Sequence, residues 1–500
     1  MPDFRWRLAA VATALLLAGC GGGARNADDT AGVRRYGALA FAPCTLSGGA
    51  GASIAAQCTT LSVPENPAAP QGRAIALRIA WLPATDAAGA APDPVFFLTG
   101  GPGQAATESW PAVDPAFAEV RKRRHVILVD QRGTGGSHPL ICRDAQGRSA
   151  VADEGAAGSD EIAGFARRCA GALDADPRHY TTTDAVADLE RVRAALGAET
   201  VDLVGASYGT RVAQQYAMRH PRRVRAMVLD GLVPNELALG AEHARNLDAS
   251  LALQFAKCRE LPACGDRFGD TRARLRALMR RLREAPVEVA YRDPGTGEER
   301  RGTLGADTVA GLTRLFAYAP EAASLLPLVL SEADQGRYAA LMALSRLVQD
   351  QLGEQIAHGM QLSVLCAEDA DLLTPDPAEA DTVLGTALVD LLRAQCAVWP
   401  RGRRPADFHR PLRSDAPALL LSGEFDPVTP PRYGEQVLAG LPNGRHLVLR
   451  GRGHGSFAVG CVPKLLGRFL ETADAKALDA SCLDSVGYVP PFTGFNGWEP

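Results

Sequence analysis

The stretch Val201-Asp202-Leu203-Val204-Gly205-Ala206-Ser207-Tyr208-Gly209-Thr210 decides how the rest of the chain is read. It opens on a mainly apolar, β-prone run. It continues into Arg211-Val212-Ala213-Gln214-Gln215-Tyr216-Ala217-Met218, where apolar residues recur at helical spacing. The match to G-x-S-x-G, Gly205-Ala206-Ser207-Tyr208-Gly209, therefore falls where a strand turns into a helix, the context a nucleophile elbow requires. A serine on so sharp a turn needs small neighbours, because backbone comes close on both sides. The plainer reading of the pattern by itself is a Gly-rich turn carrying an ordinary serine.

Outward from this point the strands repeat. Val95-Phe96-Phe97-Leu98-Thr99 and His125-Val126-Ile127-Leu128-Val129 are short apolar runs of the kind buried on both faces of a sheet. The first leads into Gly100-Gly101-Pro102-Gly103-Gln104, and the second into Asp130-Gln131-Arg132-Gly133-Thr134-Gly135-Gly136-Ser137, where Asp130 and Arg132 are expected to pair across the turn. A helix is expected over Asp184 to Leu196, capped by Thr183 or Asp184. Arg225 to Gly231 is the strand after the elbow helix. This alternation predicts a mostly parallel sheet with helices on both faces. Leu61 to Pro64 and Ile75 to Leu82 read as antiparallel strands ahead of it.

Between about Val233 and Pro405 the periodicity is mainly helical, over Leu247 to Cys258, Thr271 to Leu282, Asp307 to Leu315, Gly336 to Leu352 and Asp381 to Val398, with a small hairpin at Val287 to Tyr291. Sheet character resumes with Ala418 to Ser422 and Arg445 to Leu449, and a last helix covers about Cys461 to Ala473. The expected fold is α/β, an α/β-hydrolase arrangement with a large inserted, mainly helical cap. The expected boundaries are a signal at 1–20, a flexible tether at 21–40, core at 41–232, cap at 233–405 and core again at 406–500.

Composition narrows the chemistry. With 46% hydrophobic residues over 500 positions the chain buries a large core, and a net charge of −4 argues against nucleic acid as a partner. No zinc-type Cys/His spacing, P-loop or dinucleotide fingerprint is present in the sequence, so neither metal nor cofactor is expected. Arg5 and Arg7 precede an apolar run from Leu8 to Ala18 that ends in Leu17-Ala18-Gly19-Cys20, which resembles a bacterial lipoprotein signal. That resemblance implies lipidation of Cys20, membrane association through the lipid, and, with Gly21 following, an outer-membrane destination facing the periplasm. The other ten of the eleven cysteines form an even set in an exported chain. Pairing of sequence neighbours is expected: Cys44 with Cys58, Cys142 with Cys169, Cys258 with Cys264, Cys366 with Cys396, and Cys461 with Cys482.

A serine hydroxyl needs a base, and the base an orienting acid. Ser207, Asp426 and His454 occur in the order Ser, acid, His, each just past the end of an expected strand. Asp230 is the rival acid, and His138 and His446 are the weaker bases. The loop from Gly100 to Gln104 reads either as a bare turn or as a source of oxyanion-hole N–H groups, in which case Gly101 (or Gly100) and Tyr208 are the donors.

Taken together, Gly100-Gly101-Pro102-Gly103, Asp130 to Ser137, Gly205 to Gly209 and the Asp426 and His454 loops resemble the prolyl and tripeptidyl aminopeptidase family of α/β-hydrolases. The resemblance spans roughly Leu61 to Arg468. Thr99 stands where prolyl aminopeptidases carry His, and the long cap and many cysteines are closer to the secreted tripeptidyl aminopeptidase branch. The family implies hydrolysis of peptides near a free N-terminus through an acyl-enzyme; a monomer without cofactor is expected. Cap acids of such enzymes hold the substrate ammonium. Glu368 and Asp369, in Cys366-Ala367-Glu368-Asp369, are the candidates here, with Glu108 a weaker one; the plain alternative is a solvated acidic loop. Two other functions remain open at this stage: an esterase or lipase using the same triad, and a non-catalytic surface lipoprotein with a retained fold.

Overall fold

The computed structural model describes residues 32–48, 51–143, 159–352 and 356–497. Cys20 and the proposed signal lie outside them. A ten-stranded sheet runs in the order β1-β2-β3-β4-β6-β5-β7-β8-β11-β12. Its strands are β1 (Arg34–Tyr36), β2 (Leu39–Ser47), β3 (Ser53–Pro64), β4 (Ala74–Leu82), β5 (Val95–Leu98), β6 (Val126–Val129), β7 (Val201–Ala206), β8 (Val224–Asp230), β11 (Ala418–Gly423) and β12 (Gly444–Leu449), while β9 (Val287–Arg292) and β10 (Glu299–Leu304) form a separate hairpin. The four strands before β5 are antiparallel, and β6, β5, β7, β8, β11 and β12 run parallel.

The parallel strands are apolar on both faces because each face is covered. Alternate residues feed two cores: Phe96, Leu203, Met227 and Leu420 on one side, and Val95, Val204, Val228 and Leu421 on the other. The segment expected to be a tether already contributes structure, since β1 falls within it. Tyr36 packs 5.2 Å from the Trp81 ring and the Arg34 guanidinium lies 5.0 Å over the same ring. An aromatic and a cation on one indole give this polar segment a reason to dock.

The inserted block between β8 and β11 has two parts. Residues such as Leu247, Leu278, Val309, Phe316 and Leu330 make a core of their own. Helices His358–Glu368 and Ala387–Cys396 instead send Met360, Val364, Val389 and Leu392 into the main core. The first of these helices was not expected; Glu368 is its last residue rather than part of a loop. All five expected disulfides are formed, and Cys366–Cys396 joins the two helices that dock on the core.

Two local expectations are corrected. The helix before the elbow runs Thr182–Leu196 and is capped by Thr181, which forms a reciprocal capping box with Asp184. Asp130 and Arg132 do not pair. Residues two apart leaving a strand point the same way, but each finds a better-placed partner. Asp130 accepts from Thr107 N and Oγ1 and from Gly136 N at 2.8, 2.9 and 3.0 Å. Arg132 makes a bidentate pair with Asp188 at 2.7 and 2.8 Å.

Candidate active site

β7 delivers Ser207 at φ 54°, ψ −124°, a strained left-handed conformation for a non-glycine residue, immediately before helix Tyr208–Arg219. The glycines on either side are required. A Cβ on Gly205 would meet Gly209 O at 2.5 Å, and one on Gly209 would meet Leu98 O at 2.1 Å. Ser207 N donates to Asp230 O at 2.8 Å, which ties the elbow to the end of β8, and the serine itself is partly exposed.

Asp426 follows β11 and is buried. Its Oδ1 accepts Val428 N and Thr429 N, each at 2.8 Å, and its Oδ2 accepts Thr429 Oγ1 and His454 Nδ1, each at 2.8 Å. Burial works against this carboxylate, but the His454 charge and the donors outweigh it and hold its pKa below the ordinary value. His454, on the loop after β12, donates its backbone N–H to Tyr318 O at 2.7 Å and lies edge-on to the Tyr318 ring at 5.2 Å. Burial disfavours its imidazolium, yet Asp426 raises its pKa above the ordinary value. With Nδ1–H directed at Asp426, Nε2 is left as the proton acceptor. A Cβ on Gly231 would stand 2.9 Å from His454 Cε1. The residue after the one that holds Ser207 N thus abuts the imidazole, and the three loops meet at the end of β8.

Gly100 lies against the nucleophile: a Cβ there would come within 3.0 Å of Ser207 Cβ. Gly101 follows at φ 103°. Tyr208 N is the first N–H of its helix, where donors point outward without an intrahelical partner. The Tyr208 side chain is buried, and its hydroxyl is bonded to Thr182 Oγ1 at 2.6 Å and Gln131 Nε2 at 3.1 Å.

The cap-side acids are placed differently. Glu368 is wholly buried and takes Thr182 N at 2.6 Å and Thr182 Oγ1 at 2.9 Å. Burial, then the neighbouring Asp369, pushes its carboxyl up to about 8. Asp369, also buried, pairs with Arg211 Nη1 at 2.9 Å. Both are therefore engaged internally, and a substrate ammonium would have to displace Thr182 or Arg211 to reach them. Glu108 is exposed on helix Ala106–Val113. His138 Nε2 bonds Asp174 O and His446 Nε2 bonds Ser422 Oγ. Thr429, absent from the sequence reading, was within reach of it, as a hydroxyl three residues past the acid. Among the described residues no group of His, Cys, Asp and Glu is arranged to hold a metal ion.

A nucleophile elbow, a buried acid–histidine pair and a glycine loop against the serine, all at the C-terminal edge of one parallel sheet, define a serine hydrolase. The alpha/beta hydrolase fold family matches residues 93–460, and the chain belongs to it. Serine protease Hip1 of Mycobacterium tuberculosis is 28% identical over 89% of this chain and 91% of its own length. Tripeptidyl aminopeptidase of Streptomyces coelicolor is 24% identical over 85% of this chain and 83% of its own. Proline iminopeptidase of Neisseria gonorrhoeae is 32% identical over 29% of this chain and 35% of its own. The crystal structure of a proline iminopeptidase from Mycobacterium smegmatis aligns with a TM-score of 0.42 at 18% identity, over 84% of this chain and 100% of that one.

Proposed function

We propose that the protein is a serine exopeptidase that hydrolyses peptide bonds near a free N-terminus and releases short, tripeptide-like units. The observation that carries this is the Ser207, His454 and Asp426 constellation in a chain whose relatives, along nearly its whole length, are named as peptidases. His454 Nε2 takes the Ser207 proton as Oγ attacks the scissile carbonyl. The N–H groups of Gly101 and Tyr208 hold the oxyanion, an effect typically worth about 3–4 kcal/mol. Asp426 keeps the imidazole in the tautomer that accepts the proton and stabilises the imidazolium. His454 then protonates the departing amine, and water hydrolyses the acyl-enzyme by the same route in reverse.

For Glu368 and Asp369 the internal contacts favour an indirect part. Glu368 holds Thr182, which holds the Tyr208 hydroxyl, so the acid steadies the residue that carries an oxyanion donor. At its N-terminus the chain is proposed to be lipidated at Cys20 and held in the cell envelope as a monomer. Incorporation of a labelled fatty acid that is lost in Cys20→Ala is the expected result. No described helix is long and apolar enough to cross a membrane.

The deciding experiment compares three substrates on the form lacking residues 1–20: a tripeptide anilide with a free amine, its N-acetylated form, and a short acyl ester. Cleavage of the free tripeptide that is lost on acetylation is expected. Ester turnover indifferent to acetylation would sink the peptidase reading and leave an esterase. Ser207→Ala should lower turnover by on the order of 10^6-fold and abolish labelling by a serine-directed phosphonate. Labelling that persists would remove Ser207 from the mechanism.

A further inference from the structure

Asp230, the last residue of β8, is the one buried carboxylate at the meeting point of the three loops that the reaction above does not use. It is 2% exposed. Its main-chain oxygen accepts Ser207 N at 2.8 Å, and its Oδ2 accepts Ser456 N at 2.6 Å, two residues beyond the base. One residue therefore bridges the nucleophile's backbone and the base's loop. Its neighbour Gly231 lies against the His454 ring. Oδ1 is buried without a hydrogen bond of good geometry among the described residues, as is Ser456 Oγ, though that hydroxyl is close enough to act on the carboxylate. A buried carboxylate oxygen without a donor is costly to hold. Besides Ser456, the group that acts favourably on this carboxylate is the imidazolium that forms when Ser207 gives up its proton; Asp230 and His454 act on each other electrostatically.

We propose that Asp230 is a second acid of this active site, a positioning residue that clamps the elbow to the base loop and supports the His454 imidazolium alongside Asp426. This rests on the reading of His454 as the base. The proton still moves from Ser207 Oγ to His454 Nε2, and Asp230 takes none. The titratable groups that act on it are His454 and Asp426; these two, and Arg314 from helix Ala306–Ala317, act in turn on His243 at the start of helix His243–Glu260. Burial keeps Asp230 itself half-ready to protonate, with a pKa near 6, so its support is strongest above that pH.

The test is the pH profile of kcat/KM for Asp230→Asn, which retains an acceptor for Ser456 N and removes the charge, and for Asp230→Ser. The expected result is an acid limb displaced downward by about 0.5–1 pH unit, since loss of a nearby carboxylate disfavours the imidazolium. A kcat about 10-fold lower with KM within about 2-fold is expected to accompany it. An acid limb that stays in place in the folded variants overturns the proposal whatever happens to kcat, because a purely structural residue would not move it. Should neither variant fold, His454 is titrated by NMR in Asp426→Asn. A midpoint near or above the ordinary value of about 6.5 is expected while Asp230 is present. A midpoint well below it, as burial alone would give, overturns the proposal. Ser207→Ala run in parallel separates the two ideas: undiminished turnover there removes the triad, whereas an inactive Ser207→Ala with an unmoved Asp230→Asn profile removes only this inference.

Discussion

Asp426 and Glu368 are both carboxylates shut away from water, and they sit in opposite electrostatic states. Asp426, at the sheet edge, receives two backbone N–H groups, a threonine hydroxyl and an imidazole, and stays ionised. Glu368, at the end of a helix in the insert, receives two donors from Thr182 but has Asp369 beside it, and its pKa climbs to about 8. Burial penalises both. The sign of the outcome is set by what the neighbours offer: an imidazole that can carry a positive charge for one, a like charge for the other. The sheet edge is thus built to hold a charge, and the insert's end is built to hold a neutral acid that acts as a structural hydrogen-bonding group.

The contrast is broken most severely at Asp426. Asp426→Asn should lower kcat by about 10^3- to 10^4-fold, because the amide favours the wrong histidine tautomer. It should also shift the acid limb of the pH profile downward, since the imidazolium loses its main partner. A loss under about 10-fold, seen in steady-state kinetics, would mean that another acid orients His454. Thr429→Val removes one donor from Asp426 Oδ2 and leaves the charge in place. A fall of roughly 10-fold in kcat is expected, with KM little changed. Unaltered kcat would make the 2.8 Å bond incidental.

Glu368→Gln sharpens the other side and should be the mildest change in activity below pH 7, where the acid is already protonated. Its signature is in stability. The folded-state pKa stands above the unfolded value near 4.5, so the stability it contributes is complete below that pH and is lost as pH rises through about 8. Thermal melts from pH 5 to 9 should therefore show the wild-type protein losing ground to Glu368→Gln, by up to a few kcal/mol at the alkaline end. Parallel melting curves across that range would mean that Glu368 is ionised when folded.

How far the sequence could be read follows the same division. Strands β5 to β8, β11 and β12 were legible because each is a short apolar run ending in a glycine- or aspartate-bearing loop, and the order Ser, Asp, His then placed the triad candidates. Helix His358–Glu368 was not, because nearly all its residues are buried, Ser363 and Glu368 among them. Such a helix has no polar face to set a 3.6-residue period against. The Thr181 cap was obscured by three successive threonines, any of which presents a suitable hydroxyl. The partners of Arg132 and Asp369 lie 56 and 158 positions away. Only the folded topology supplies pairings of that range.

The placement of the insert has a consequence in time. β7 and β8 precede it and β11 and β12 follow it, so the proposed nucleophile is made early while its proposed base waits at position 454 of 500. A chain emerging from its N-terminus carries the elbow serine and Asp230 but neither Asp426 nor the imidazole until most of its length exists. The same holds for any fragment cut within the insert. Competence to cleave is therefore among the last properties such a chain acquires, and truncation from the C-terminal side removes it first.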